Sequence, residues 1–239
     1  MWKSITSLNS YSSVLNLVFP SDCPVCNKPS DLYKTSPVCL SCWQKIQIHD
    51  GKGCRICAAV TDYKSTGVCQ ECRFIKPVFE RILSYGVYEG VLKEVIHLVK
   101  FRRIRRLARV LGTELLHLDT PDADLVVPVP LSVHGLRKRE FNQSAVMASV
   151  IAVRRGIRLD ITSLVKVKDT CPQSTLSRIE RRENVRGAFR VSENLKGKHV
   201  ILVDDVVTTG ATANECARVL KKAGAVSVVV ICAARAKNI

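Results

Sequence analysis

The chain has 239 residues, room for one α/β domain of roughly 150 residues and a smaller module beside it. A formal net charge of +16 points to acidic partners: polyphosphate substrates, nucleic acid or an anionic membrane face. No apolar run reaches the roughly eighteen residues that cross a bilayer, so a transmembrane segment is not expected.

The first stretch, Met1 to Pro20, scatters Trp2, Ile5, Leu8, Val14, Leu15, Leu17, Val18 and Phe19 among serines and asparagines. It holds one lysine and no small-residue cleavage pattern, which argues against a signal peptide and for a short docking helix. Eleven cysteines follow a spacing that is not that of a disulfide-stapled secreted protein. Cys23 with Cys26, Cys39 with Cys42, Cys54 with Cys57 and Cys69 with Cys72 form four Cys-x-x-Cys knuckles. Each knuckle presents two thiolates to one tetrahedral ion, so two structural zinc ions per chain are expected. The segment is poor in large apolar residues, and metal binding of about 10 kcal/mol or more per site would replace the missing core. With four cysteines per ion, no position is left open for catalysis. Sequential pairing of knuckles is the simplest arrangement and a cross-braced one is the alternative; dithiol redox chemistry is the competing use. Either use implies a reducing, cytoplasmic location.

The composition changes after Pro77, which divides the chain into a module over residues 1–77 and a domain over 78–239. Tyr85 to Gly90 reads as a strand and turn, and Val91, Leu92, Val95, Ile96 and Val99 mark a helix ending at Lys100-Phe101. Arg102, Arg103, Arg105, Arg106 and Arg109 then form a cluster of one sign, with Leu107, Val110 and Leu111 facing inward. A charge run is usually a solvated face; uniform sign makes an anion-facing surface the alternative. Leu125 to Pro130 is an apolar strand closed by two prolines. A basic turn, Arg137-Lys138-Arg139, precedes Phe141-Asn142-Gln143-Ser144 and a helix through Val153. Leu159 to Val167 reads as one strand. Asp169 to Arg190 carries Gln173, Arg178, Arg181, Arg182, Asn184 and Arg186 with few apolar residues, as a flap over a polyanion would. His97, His117, His134 and His199 are scattered and are expected to be structural or solvent-exposed.

The chain is organised around His199 to Gly224. Val200 to Val203 is a buried strand. Ala213, Cys216, Ala217, Leu220 and Ala223 share one helical face, Thr212 with Glu215 reads as a capping box, and Gly224 is placed just past the helix end. Val226 to Ala233 is a second strand. This βαβ unit puts Thr208-Thr209-Gly210-Ala211-Thr212 at the carboxyl end of a strand, where open α/β sheets bind ligands. Hydroxyls, a glycine and the N–H groups of a helix N-terminus suit a phosphate. Asp204 and Asp205 would repel a bare phosphate but suit the paired hydroxyls of a ribose 5-phosphate. Ideal pleating sends them to opposite faces, so the strand is expected to end between them. The loop has one glycine and no lysine, unlike a Walker loop or a dinucleotide fingerprint.

Val203-Asp-Asp-Val-Val-Thr-Thr-Gly-Ala-Thr212 closely resembles the loop with which type I phosphoribosyltransferases bind phosphoribosyl pyrophosphate (PRPP). That resemblance implies that Asp204 and Asp205 hold the ribose diol and that Thr208, Thr209, Gly210, Ala211 and Thr212 wrap the 5-phosphate. Other segments extend it in order: Tyr88-x-Gly90 through Lys100-Phe101, Val127-Pro-Val-Pro-Leu131, Leu136-Arg-x-Arg139-x-Phe-Asn-Gln143, Thr170-x-Pro-Gln173, and Asn184-Val-Arg-Gly-Ala-Phe189. Together they are similar to the ComF family from about Phe19 to the C-terminus. The implied architecture is an α/β type I phosphoribosyltransferase fold with a mostly parallel sheet, plus an N-terminal zinc-ribbon-like module.

The implied ligand is PRPP with Mg²⁺, its pyrophosphate met near Pro128 to Leu131 by Lys100, Arg137, Arg139, Gln173, Arg178 and Arg182. The implied reaction displaces pyrophosphate from C1 by an acceptor, through an oxocarbenium-like transition state that needs cations and water exclusion rather than a protein nucleophile. The implied setting is natural competence and uptake of single-stranded DNA, with DNA-uptake helicase or channel proteins at the inner membrane face as partners. A non-enzymatic nucleic-acid-binding competence factor using the PRPP pocket as a sensor is the alternative. Three features depart from the family: Ser132 to Gly135 lacks its His-Pro-Arg-Arg type of sequence, Glu140 stands where glycine is usual, and Lys166 and Lys168 replace arginines. Lysine cannot make the bidentate phosphate contacts of arginine.

Overall fold

Strands rich in valine and isoleucine and apolar on both faces are what a parallel sheet covered on both sides requires. The two longest, β6 (His199–Val207) and β7 (Ser227–Arg235), lie at its centre. With β1 (Arg81–Val87), β2 (Leu125–Pro128) and β3 (Arg158–Leu159) they form an all-parallel sheet of order β1-β7-β6-β2-β3. β4 (Leu164–Lys166) and β5 (Phe189–Val191) pair antiparallel in a separate small sheet. The computed structural model describes residues 21–30, 32, 34–60, 67–170 and 178–237. The docking helix expected within residues 1–20 lies outside them.

The helices in chain order begin with α1 (Leu40–Trp43), α2 (Gln70–Ile75), α3 (Gly90–Phe101) and α4 (Arg105–Glu114). They continue with α5 (Val133–Arg139), α6 (Gln143–Arg155), α7 (Arg178–Val185) and α8 (Ala211–Lys222). Helices α3, α4 and α6 cover one face, where Leu92, Ile96, Leu107, Leu111, Met147 and Ile151 pack with Ile201 and Val203. Helix α8 and the small sheet cover the other, where Cys216, Ala217, Leu220, Leu164 and Phe189 pack with Leu202 and Val230.

The cysteine module straddles the β1 edge. Its first half, with Cys23, Val38, Trp43 and Ile46, joins the α3–α4 layer; its second half, with Cys54, Cys57, Cys69 and Cys72, joins the α8 layer. The segment between runs beside β1: the His49 N–H donates to Tyr85 O at 2.9 Å and the Val87 N–H to Gln47 O at 2.9 Å. Gly86 makes this approach possible, because a Cβ there would stand 2.8 Å from Gln47 O and 2.6 Å from a Leu92 methyl. An edge that would otherwise expose unpaired backbone groups is thereby covered.

Three elements differ from expectation. The described part of the polar flap expected over Asp169 to Arg190 forms α7 and β5, held down by the buried Val185 and Phe189. The single strand expected over Leu159 to Val167 is broken, because the Asp160 carboxylate accepts from the N–H groups of Thr162 and Ser163 at 3.1 and 2.9 Å and turns the chain. The basic turn expected at Arg137 to Arg139 is the end of helix α5, started by Ser132, whose hydroxyl accepts from the Gly135 N–H at 3.1 Å. That helix stops at Glu140 in left-handed conformation, φ 65°. A left-handed helix stop is where glycine is favoured, which gives a physical reason for the family's preference there.

Candidate functional site

The ligand-facing edge is built where β6 outruns β2. β6 continues through both acids, with Asp204 opposite Cys232 and Val206 opposite Ala234 on β7, so the expected strand end between them is corrected. The alternation slips just past the acids, since Val203 and Val206 both pack into the α3–α4 layer while Val207 packs into the α8 layer, yet the two carboxylates still meet different partners. Asp205 meets Lys100 at the end of α3, Nζ to Oδ1 2.8 Å, with the Arg139 guanidinium 4.0 Å from its other oxygen. Asp204 takes the Asp205 N–H at 2.8 Å and the Ser144 hydroxyl at 3.5 Å. Burial, with the Asp205 charge added, pushes the Asp204 carboxyl up to about 7. The pair thus has one paired carboxylate and one poised between charged and neutral. The same Asp205 charge, after burial, raises the Tyr88 hydroxyl, which lies 3.2 Å from His97 Nε2.

Beyond Val207 the chain turns over Thr208 and Thr209 to Gly210, the N-cap of α8, whose φ of 80° is in the left-handed region that favours glycine. The Thr209 hydroxyl accepts from the Ala211 N–H at 3.3 Å. The capping box expected from Thr212 and Glu215 is not used: the helix starts at Ala211, and Glu215 instead accepts from the Gly187 N–H at 2.7 Å and pairs with Arg218 at 2.7 Å. The tertiary partner at Gly187 wins over the local cap. The helix end conforms to expectation, with Gly224 at φ 103° after Lys222 and Ala223. A cavity of about 530 Å³ opens beside the loop, lined by Thr209, Gly210 and Ala211, by Phe79, and by Cys57 and Cys72 of the second cysteine group. The first turn of α8 and Thr209 therefore border this cavity, which Glu71, Glu183 and Glu215 also line.

The expected pyrophosphate residues divide. Lys100 and Arg139 converge on Asp205, and Arg139 also donates to Gln143 Oε1 at 3.2 Å. Arg137 is exposed on the last turn of α5. Arg182 is ion-paired with Glu71 of the second cysteine group and lines the cavity. Arg178 begins α7, and Gln173 lies outside the described residues. Of the arginine cluster, Arg102, Arg105 and Arg109 are exposed and Arg103 pairs with Glu140. Arg106 instead donates to Ser36 O at 2.8 Å, joining the first cysteine group to α4.

The knuckles pair sequentially. Cys23, Cys26, Cys39 and Cys42 form one group and Cys54, Cys57, Cys69 and Cys72 the other, each with its sulfurs within 4.8 Å of one another. The Cys26–Cys39 and Cys57–Cys69 sulfurs stand 3.6 and 3.7 Å apart. Tetrahedral bonds of about 2.3 Å to zinc would place sulfurs about 3.8 Å apart. Packed together, the thiols oppose one another's ionisation: Cys57 is held low by a hydrogen bond from Cys72, while burial and its neighbours raise Cys42 and Cys69. A divalent cation relieves that conflict, and the donor set fits zinc.

Two contributors went unread in the sequence. Ser144 is visible only as a helix residue until Asp204 is placed beside it. Arg235 ends an apolar strand and is buried, donating to Cys57 O at 2.7 Å and to Val207 O at 3.1 Å. A cation closing such a strand was the available signal.

Comparison with known proteins identifies both parts of the chain. The double zinc ribbon domain family matches residues 14–73, and the phosphoribosyl transferase domain family matches residues 107–239. DNA utilization protein YhgH of Salmonella typhi is 31% identical over 227 residues, 92% of this chain and 99% of that protein. Competence protein F of Haemophilus influenzae is 32% identical over 200 residues, 78% of this chain and 85% of the relative. Competence protein ComFC of Bacillus subtilis is 26% identical over 197 residues, 78% and 79% of the two chains. Among solved structures, the glutamine PRPP amidotransferase of B. subtilis aligns at 25% identity and a TM-score of 0.37, covering 52% of this chain and 25% of that one. A double zinc ribbon leading into a type I phosphoribosyltransferase fold, matched along most of their length by such relatives, places this chain in the ComF family.

Proposed function

We propose that the chain binds PRPP together with Mg²⁺ and transfers its phosphoribosyl group to an acceptor, releasing pyrophosphate, in the service of competence and DNA use. One observation carries the reading: two adjacent acids, Asp204 and Asp205, and a phosphate-suited helix start at Gly210 and Ala211 lie on one short segment at the carboxyl edge of a parallel sheet. Asp204 and Asp205 would orient the ribose, and the 208–212 turn would anchor the 5-phosphate. Lys100 and Arg139 supply positive charge beside Asp205, where charge on departing pyrophosphate needs it. Mg²⁺, when bound with PRPP, would supply further charge neutralisation at the pyrophosphate. Calorimetry tests the pocket: the wild type should bind PRPP·Mg, and Asp204→Asn/Asp205→Asn should weaken it by at least tenfold with the fold intact. Equal affinities would show that the acids do not hold the ligand.

The second reading, a nucleic-acid-binding factor that senses PRPP, is favoured by the exposed Arg102, Arg105 and Arg109 beside Phe101, which is 63% exposed. Binding of single-stranded DNA through them would be electrostatic, each phosphate contact contributing about 0.7 to the slope of log affinity against log salt. Changing all three to alanine should flatten that slope by roughly two while PRPP binding persists. An unchanged slope would make the cluster a solvated face. Turnover with an identified acceptor separates the enzyme from the sensor.

A further inference from the structure

One side chain joins the second cysteine group to the phosphate loop. Arg235 is only 2% exposed, and a buried cation is tolerated only when its donors are filled and its charge is met. Its Nε donates to Cys57 O at 2.7 Å, its Nη2 stands 3.9 Å from Cys57 Sγ, and its Nη1 donates to Val207 O at 3.1 Å and to Thr208 O. The planar fork therefore holds a metal-ligand residue on one side and the first residues of the loop on the other. A divalent ion in four thiolates is dianionic, so a filled cluster supplies the counter-charge that this guanidinium needs. A second contact runs parallel: the Ile82 N–H donates to Ile56 O at 2.7 Å, and the Ile82 side chain lies beneath Gly210, 3.9 Å from where a Cβ would be.

We propose that Arg235 is a positioning residue that sets the phosphate loop from the second cysteine cluster, so that zinc retention there and affinity for a sugar phosphate are linked. The proposal rests on reading residues 208–212 as the 5-phosphate site. Emptying the cluster would leave a buried cation without its counter-charge, and displacement of the guanidinium would release the Thr208 carbonyl that it holds, altering the turn that presents Gly210 and Ala211. Linkage is reciprocal, so a phosphate ligand must then hold zinc in that cluster by the same factor.

The test uses the full zinc-loaded chain, ribose 5-phosphate as probe, and a chromophoric chelator to follow zinc release. In the wild type, saturating ribose 5-phosphate should slow release of one of the two ions by about tenfold, with the other unaffected. Arg235→Met, similar in length and uncharged, should weaken ribose 5-phosphate binding by about tenfold and abolish the protection while both zincs remain bound at the start. Arg235→Lys keeps the charge without the fork and should fall between. A merely structural residue would not make zinc release depend on the sugar phosphate. Wild type that binds ribose 5-phosphate yet releases both ions at unchanged rates overturns the link, whether or not Arg235→Met folds. Wild type that binds no ribose 5-phosphate overturns the loop reading itself, and the link with it.

Discussion

Asp204 and Asp205 are chemically identical neighbours made unlike by what the fold sets beside each. Asp205 has Lys100 at 2.8 Å, whereas Asp204 is buried against Cys216 and Cys232 with a hydroxyl and one N–H as partners. Its carboxyl is pushed up to about 7 in the folded chain from an ordinary 3.8, so the folded state holds the proton more tightly than the unfolded one. Stability from this group is therefore present below about pH 4 and is lost as pH rises to about 7. Asp204→Asn has nothing to ionise, so its stability relative to wild type should grow across that window by at least ~1 kcal/mol and then level. Urea unfolding of both proteins at several pH values measures the difference; a gap that stays constant would mean that Asp204 titrates normally. At this scale the sequence was informative where residue type alone carries the chemistry, as in the acid pair, the loop threonines and the knuckles. It was silent where a partner distant in the chain decides: Glu215 reads as a cap until Gly187 is beside it, and Arg235 reads as a strand end until Cys57 is.

Elements were legible where their pattern was long and their termini local. The α8 face, its glycine stop and both central strands could be read from periodicity, because nothing competes with them. β6 continues through the two acids because each finds a polar partner there: Asp204, although desolvated, takes the Ser144 hydroxyl and the Asp205 N–H, and Asp205 meets Lys100. The strand expected over Leu159 to Val167 failed for the opposite reason: Asp160 offers the backbone a turn that outcompetes the ladder. The contact between the module and β1 was not legible at all, since Gly86 looks like an ordinary strand glycine. Its φ is not in the left-handed region, so alanine costs nothing in backbone conformation and the penalty is steric. Gly86→Ala must displace the Gln47 carbonyl or Leu92, and overpacking of this kind costs about 1–3 kcal/mol. Denaturant midpoints should fall accordingly, and hydrogen exchange at the His49 and Val87 amides should accelerate. Unchanged stability would mean that the segment through Gln47 yields freely and does not secure the edge.

At the scale of the whole molecule, the sequence suggests a module followed by a domain, with a boundary in composition after Pro77. The structure shows the two sharing their cores. Trp43 and Val38 are buried with Leu92 and Ile96 on one side of the sheet, and Cys57 and Cys72 with Phe79 and Val230 on the other. Arg106 to Ser36, Arg182 to Glu71 and Arg235 to Cys57 then fasten each half by hydrogen bonds or ion pairs. A separable module would lose its structure alone when stripped of metal, leaving the sheet domain to melt at its own temperature. A module woven through both layers cannot: losing either cysteine group uncovers apolar surface on the sheet itself. Removing both zincs with a chelator should therefore lower and broaden one common transition seen by both calorimetry and far-ultraviolet circular dichroism. Cys39→Ser and Cys69→Ser should each destabilise the entire chain, because each uncovers a different face. Two separated transitions, the upper one unmoved by chelation, would show that the domain over 78–239 stands without the module and that the shared core adds little to its stability.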